Sequence, residues 1–336
     1  MKPLRTAILG YGRSGSTLHA GPVGELPDFE LAAVCDIDGQ ARENAAKRFK
    51  CRLFEKYTDL FDLGLDLIVI VTRSSQHSEM ACACLEAGIN VLVTKPWALN
   101  EAEALNMIQA SRKSGAKLLP WLPARWGEDL AALRELTASG AIGKVFMIRR
   151  SVFTFGVRCD WQTEKRYGGG YLLNWGPHLV DQPVQLAGAP VQKIYGVMKQ
   201  VINPGDAEDV FFAVMNTGNG VTIVTEFNFG ASALPDWLVL GDRGSIVVRG
   251  REIEIHAAAF PEKIDPSNYR NAVDVKVTKT SVSGNLYGDE RIVYREIAGA
   301  LRGEAAYPVT PESALALTRT LDAIRKSAET GAAVGL

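Results

Sequence analysis

The stretch from Thr6 to Gly15 constrains the beginning of this chain more than any other. A short apolar run, Thr6 to Leu9, passes directly into Gly10-Tyr11-Gly12-Arg13-Ser14-Gly15, a G-x-G-x-x-G at a strand-to-helix turn. The first glycine permits the tight turn. The second lets backbone approach a pyrophosphate, and the third lets a helix pack closely on the strand. Free N–H groups and partial positive charge at that helix start then face the phosphates. Such a match on its own is weak, because a glycine turn in an α/β layer can bind nothing. Here a strand precedes it, and Asp36 closes the next apolar run, Leu31 to Cys35, 21 residues past Gly15. A carboxylate there accepts hydrogen bonds from a ribose 2′-hydroxyl and repels a 2′-phosphate. Asp38 adds negative charge, and neither Ile37 nor Gly39 supplies a cation. NAD, rather than NADP, is the expected cofactor.

The rest of the first 122 residues repeats the alternation. Strand-like runs at Leu67 to Val71 and Val91 to Val93 are interleaved with helical stretches at Gly39 to Phe49, Ser75 to Ala87 and Asn100 to Ser114. Strands apolar on both faces between amphipathic helices predict a doubly wound parallel sheet, a Rossmann α/β domain. After Pro120 and Pro123 the texture changes. A helix at Glu128 to Ala138 and a strand at Val145 to Phe155 precede Gly168-Gly169-Gly170. Several strands follow between Val191 and Ile255, separated by Asn203-Pro204-Gly205, Gly218-Asn219-Gly220 and Gly241-Asp242-Arg243-Gly244. Helices at Glu290 to Leu301 and Pro311 to Glu329 end the pattern. Residues 123–336 therefore read as an α+β domain with a mostly antiparallel open sheet, its last helix free to pack back on the first domain.

With 336 residues, 37 lysines and arginines against 38 aspartates and glutamates leave a net charge of −1. That balance gives no global field for nucleic acid or an anionic membrane surface. No apolar run approaches the ~20 residues of a membrane span, and Ala7 to Leu9 is too short for a signal-peptide core. A cytoplasmic location is expected. The five cysteines (Cys35, Cys51, Cys82, Cys84, Cys159) are an odd number, so they read as thiols rather than a disulfide framework. Cys82 and Cys84 diverge on a helix, which argues against a metal pair.

Strand Val91 to Val93 leads into Thr94-Lys95-Pro96, aiming Lys95 beyond the carboxyl ends of the strands, where open parallel sheets bind ligands; a surface lysine in a turn is the alternative. A second informative stretch contains Asn174, His178 and Asp181, spaced i, i+4, i+7 on one helical stripe. Pro177 fits only a first turn, so that helix is expected to start near Asn174 and to kink at Pro183. The stripe suits a sugar-like ligand and proton transfer by His178. A core histidine paired with Asp181 fits the same spacing. Arg158 to Tyr167, including Trp161 and Arg166, mixes cations with aromatics and either covers a substrate or is a solvated loop. His19, a turn past the glycine loop, contacts phosphate or substrate or makes a local helix-end hydrogen bond. His77, near the expected cofactor, and His256 fit structural roles.

Taken together these residues resemble the glucose-fructose oxidoreductase / inositol dehydrogenase / rhizopine catabolism (Gfo/Idh/MocA) family across nearly the whole chain, with most similarity to its scyllo-inositol dehydrogenase-like branch. The resemblance is carried by Gly10 to Gly15, Thr72 to His77, Lys95-Pro96, Ser139 to Val145, the block Gly168-Gly169-Gly170 through Gly176-Pro177-His178 to Asp181, and Tyr294 through Pro308. It implies oxidation or reduction of a sugar or cyclitol, with a homodimer or homotetramer as the assembly. Carried over by position, Lys95 polarises the reacting oxygen and His178 takes its proton. Gly10, Tyr11, Gly12, Arg13, Ser14, Gly15, Asp36, Thr72, His77, Lys95 and Pro96 hold the cofactor. Lys95, Trp161, Arg166, Asn174, His178 and Asp181 hold the substrate, and no metal is involved. The family usually has a carboxylate where this chain has Asn174 and a glutamate where it has Thr94. The amide brings no charge to the lysine. That departure leaves room for two other readings, a redox-neutral glycoside-processing enzyme with retained NAD and a non-catalytic dinucleotide sensor.

Overall fold

The computed structural model describes residues 2–230 and 234–336. Six strands, β1 (Leu4–Leu9), β2 (Phe29–Cys35), β3 (Arg52–Phe54), β4 (Leu67–Ile70), β5 (Asn90–Val93) and β6 (Leu118–Pro120), form a wholly parallel sheet in the order β3-β2-β1-β4-β5-β6. Ile8, Val34, Ile68, Val69 and Leu92 have no exposed surface, as strands covered on both faces require. The strand order reverses between β1 and β4. The chain therefore leaves those two strands in opposite directions, and a crevice opens beyond their carboxyl ends.

Helices α1 (Ala20–Glu25), α2 (Gly39–Arg48), α3 (His77–Glu86) and α4 (Glu101–Ser114) cover this sheet. Side chains fix two of their starts. Asp38 accepts from Gln40 N at 2.9 Å, and Asn100 accepts from Glu103 N at 3.0 Å. Gly115, at φ +79°, ends α4. The expected helices match these closely. The helix after the glycine loop differs in detail, starting at Arg13 and carrying one turn of π-helix over Gly15–His19.

The second sheet has nine strands: β7 (Val145–Phe153), β8 (Val191–Lys199), β9 (Val210–Thr217), β10 (Thr222–Asn228), β11 (Trp237–Gly241), β12 (Gly244–Arg249), β13 (Glu252–Ala259), β14 (Asp274–Ser281) and β15 (Val334–Gly335). Their order is β14-β13-β12-β11-β7-β10-β9-β8-β15, antiparallel except for the β7–β10 pair. The mostly antiparallel open sheet is as the sequence suggests. Strand β7 ends at Phe153 rather than Phe155, because Phe155 is 67% exposed and has left the core. Strands β3, β6, β14 and β15 gave no sequence signal. Three of them are only two or three residues long, and β14 is exposed at every position, so no burial imposes a period on it.

Helices α5 (Glu128–Ala138), α6 (Tyr171–Leu179), α7 (Asp181–Ala187), α8 (Glu290–Arg302) and α9 (Pro311–Thr330) complete the chain. The last two return to the first sheet. Trp97 Nε1 donates to Thr318 Oγ1 at 2.8 Å, Asp322 accepts from Glu101 N at 2.8 Å, and Arg302 pairs with Asp28 at 2.6 Å. These buried and half-buried ties hold α8 and α9 against the first domain. Among the described residues no helix is long and apolar enough to cross a membrane.

Two details of α6 correct the sequence reading. It starts at Tyr171, three residues before the expected Asn174, so Pro177 sits inside it. A partner outside the helix makes that early start possible: Glu208 accepts from Leu172 N at 3.1 Å through its carboxylate and from Tyr171 N at 2.9 Å through its carbonyl. A Cβ on Gly170 would lie 2.3 Å from that carboxylate, and its φ of +108° is open to glycine. The chain then breaks at Val180, ahead of Pro183, and separates Asp181 from the helix that carries His178.

Candidate active site

The glycine loop meets its steric requirements in three different ways. Gly10 has φ +98°, and a Cβ there would meet Val71 O at 2.7 Å. A Cβ on Gly15 would lie 1.9 Å from Gly10 O. Gly12 has nothing within 4 Å of that position, so its backbone borders open space where a pyrophosphate can approach. That space is part of a cleft of about 820 Å³ lined by Gly10, Gly12, Arg13, Ser14, Gly15, Asp36, Thr72 and, from beyond β7, Trp161. Its walls suit a dinucleotide: glycines at the phosphate end and a carboxylate at the ribose end.

Asp36 is oriented by the loop it serves. Its Oδ2 accepts from Tyr11 N at 2.6 Å, and its Oδ1 accepts from Asp38 N at 2.9 Å. Arg42 donates to the Asp36 carbonyl at 2.6 Å and pairs with Glu55 at 3.2 Å. The carboxylate thus stays free of an ion pair while its backbone is fixed.

Lys95 follows β5, and its bond to Pro96 is cis. His77 anchors the turn from behind, its Nδ1 2.8 Å from Pro96 O and its Nε2 3.2 Å from Thr72 O. Thr94, where a glutamate is usual, is buried and donates to Ile70 O at 2.9 Å. The Lys95 Nζ crosses to α6, donating to Asn174 Oδ1 at 2.8 Å and Asn174 O at 2.9 Å. Burial, with Arg158 and Arg13 adding like charge, lowers its pKa to about 8. One ammonium N–H remains for a ligand.

One turn further along α6, His178 is buried, and its Nδ1 has no hydrogen-bond partner. Burial, then the nearby Lys95 and Arg150 cations, hold its pKa well below the ordinary value, so the ring is neutral at pH 7. Tyr287 and Trp175 flank it, with ring centroids 5.3 and 6.2 Å away. Asp181 is not its partner. Both of its carboxylate oxygens take hydrogen bonds from Arg125, each at 2.8 Å. The structure thus brings together Lys95, Asn174 and His178 and leaves Asp181 in a separate buried ion pair.

The remaining expected residues divide. Trp161 lines the dinucleotide cleft. Arg166 is exposed, paired with Glu164 at 2.6 Å and set over the Tyr167 ring. His19 is structural: its Nδ1 lies 2.8 Å from Tyr294 Oη, its ring packs edge-on against Trp121, and burial lowers its pKa to about 3. His256 lies at the surface, 3.6 Å from Glu254. Sequence reasoning missed Glu208 and Tyr287. Glu208 braces the start of α6 and Tyr287 packs on His178, each from a loop far along the chain, and no local pattern marks either.

Residues 4–120 match the oxidoreductase family model with an NAD-binding Rossmann fold, and residues 130–247 match the GFO/IDH/MocA C-terminal domain. The scyllo-inositol 2-dehydrogenase (NADP(+)) IolW of Bacillus subtilis is 24% identical over 339 residues, spanning 97% of this chain and 94% of that protein. An NAD-binding protein from Listeria innocua superposes with a TM-score of 0.84 at 25% identity, covering 100% of this chain and 97% of its own. The WlbA dehydrogenase from Bordetella pertussis, solved with NADH and UDP-GlcNAcA, superposes with a TM-score of 0.82 at 21% identity, covering 100% and 98%. Fold, glycine loop and both halves of the chain agree: this protein belongs to the GFO/IDH/MocA oxidoreductase family and carries its NAD-binding Rossmann domain.

Proposed function

We propose that the protein is an NAD(H)-dependent dehydrogenase of a sugar or cyclitol, with residues 1–122 as the cofactor domain and 123–336 as the substrate and oligomerisation domain. The observation that carries this reading is the meeting of Lys95 with α6, beside a buried imidazole whose Nδ1 is unpaired. A nicotinamide bound in the cleft would supply the hydride acceptor. The chain's own groups handle the oxygen and its proton. The third Lys95 N–H donates to the reacting hydroxyl and stabilises negative charge developing on it. His178, neutral because burial and two cations disfavour its protonated form, accepts the hydroxyl proton. Asn174 holds the ammonium in place through two acceptors without adding charge, so Lys95 stays closer to neutrality than a carboxylate partner would leave it.

The name of the Bacillus relative supports a cyclitol among the substrates. Asp36, turned to the ribose end of the cleft and free of an ion pair, favours NAD over NADP. The test is a panel of inositols, hexoses and sugar acids with each cofactor, following reduced nicotinamide. Turnover with a polyol ring and NAD is the expected result. Tight dinucleotide binding with no turnover on any member would favour a sensor instead.

A further inference from the structure

Two arginines follow one another on β7 and are treated in opposite ways. Arg149 pairs directly with the Glu226 carboxylate. Arg150, on the other face of the strand, is 1% exposed and is held by neutral partners. Its Nε donates to Gln182 Oε1 at 3.1 Å, and its Nη2 donates to Tyr287 Oη at 3.4 Å. Its Nη1 donates to the carbonyls of Asp236 at 3.1 Å and Ser151 at 3.3 Å. The guanidinium lies over the Trp237 ring, 4.9 Å from its centroid. Among the described residues its nearest ion partner is the Asp236 carboxylate, 4.0 Å from Nη1, partly exposed and already accepting from Gly250 N at 2.6 Å. The buried Asp129 carboxylate is taken up by Trp237 Nε1 at 2.7 Å and Leu130 N at 2.8 Å. A buried arginine is ordinarily matched by a carboxylate at hydrogen-bond distance. Arg150 is met by dipoles and a ring instead.

The contacts of this cation converge on His178. Thr225, opposite Arg150 on β10, donates to Leu179 O at 2.7 Å and so ties the sheet to the residue after the histidine. Gln182 reaches Arg150 from α7 and also donates to Ala124 O at 3.1 Å. Tyr287 carries the contact to the imidazole itself. Its hydroxyl accepts from Arg150, and its ring centroid lies 5.3 Å from that of His178. The other charged groups around the imidazole do not offset the arginine. Lys95, from the end of β5, is a second cation, held on the neutral Asn174 of α6. Asp181, at the start of α7, gives both of its oxygens to Arg125. After burial itself, Lys95 and Arg150 are the groups that disfavour a proton on the ring. An apolar side chain would fill the same space at lower cost in desolvation, so the charge is what the arginine contributes.

We propose that Arg150 is a positioning residue for the catalytic base, seating Tyr287 against the His178 ring and setting an unpaired cation behind it. Arg150 acts through the histidine and needs no contact with a ligand. With a cation on each side, the imidazole stays a proton acceptor to lower pH than burial alone would allow. The inference deepens the dehydrogenase reading and rests on its assignment of His178 as the base. The identity of the substrate does not enter.

The experiment is a pH titration of the full-length protein, isotopically labelled at its histidine rings and followed by NMR. The chain has four histidines, and the His178 signal is identified by its loss in His178→Gln. Wild type is compared with Arg150→Met, Arg150→Lys and Gln182→Glu, the last setting a carboxylate on Arg150 without removing it. Arg150→Met and Gln182→Glu are expected to move the His178 protonation midpoint to higher pH by about one pH unit. Arg150→Lys, which keeps the charge, is expected to leave it near the wild-type position. The acid limb of kcat/KM on the active polyol should move with the midpoint, while NADH affinity stays unchanged. A thermal melt shows which variants fold, and where Arg150→Met does not, Gln182→Glu decides. A His178 midpoint unmoved in the folded variants overturns the proposal. A shift in Arg150→Lys as large as that in Arg150→Met overturns it equally, since packing rather than charge would then be responsible. Absence of turnover on every polyol would count against the dehydrogenase reading alone, because the titration reads Arg150 without substrate.

Discussion

Lys95 Nζ donates to Asn174 twice, to the side-chain oxygen at 2.8 Å and to the main-chain oxygen at 2.9 Å, across 79 residues of sequence. The bond joins the end of a strand in one sheet to a helix packed on the other. It fixes the ammonium one helical turn from His178 and leaves its charge unneutralised.

Replacing Asn174 by aspartate tests that last point. A carboxylate in contact with Lys95 stabilises the ammonium and should raise its pKa from about 8 by about 1–3 units. Any alkaline limb of the rate profile that reports Lys95 should move upward by that amount. A profile unchanged in Asn174→Asp would show that Lys95 ionisation does not govern the rate.

Lys95 also leaves a signature in stability. Its native pKa of about 8 lies below the ordinary 10.5, so between those values the unfolded chain binds more protons than the native one. Native stability should therefore gain as pH rises across that window. Lys95→Met removes the group and should flatten the gain, measurable by denaturant unfolding at pH 8 and pH 10.

The glycine loop predicts two opposite failures. Gly15→Ala places a Cβ 1.9 Å from Gly10 O, which should cost about 2 kcal/mol or more of stability and lower the thermal midpoint. Gly12→Ala meets nothing in the protein and should fold normally while losing NADH affinity. Thermal melts and NADH titrations of the pair separate these outcomes.

Cofactor choice is predicted to rest on Asp36. Asp36→Ser removes the charge that opposes a 2′-phosphate and the acceptor for the ribose hydroxyls. The ratio of NADP to NAD affinity should rise by about tenfold or more. A ratio unmoved by this change would place the discrimination elsewhere in the cleft.

The sequence showed most of what burial imposes and little of what distant loops supply. Val91 to Val93 and Glu128 to Ala138 were legible because an apolar period marks a buried face, and Gly115 because a left-handed φ favours glycine. Lys95 and His178 were reachable from spacing and strand ends. The Asn174–His178–Asp181 stripe was legible as a helix but not as two. The start of α6 at Tyr171 depends on Glu208, and the break at Val180 sends Asp181 to Arg125. Neither partner is local to the motif. The segment Arg158 to Gln162 was half legible: cations beside aromatics fit either a cover over a ligand or a solvated loop, and only the fold sets it along the cleft of the glycine loop.

The most direct test compares turnover of NAD with the active polyol in Lys95→Ala and His178→Ala, alongside NADH affinity. Convergence of the two groups on one hydroxyl predicts that each change lowers kcat by about 10²–10⁴-fold and leaves the fold intact. Wild-type turnover in either variant would contradict it.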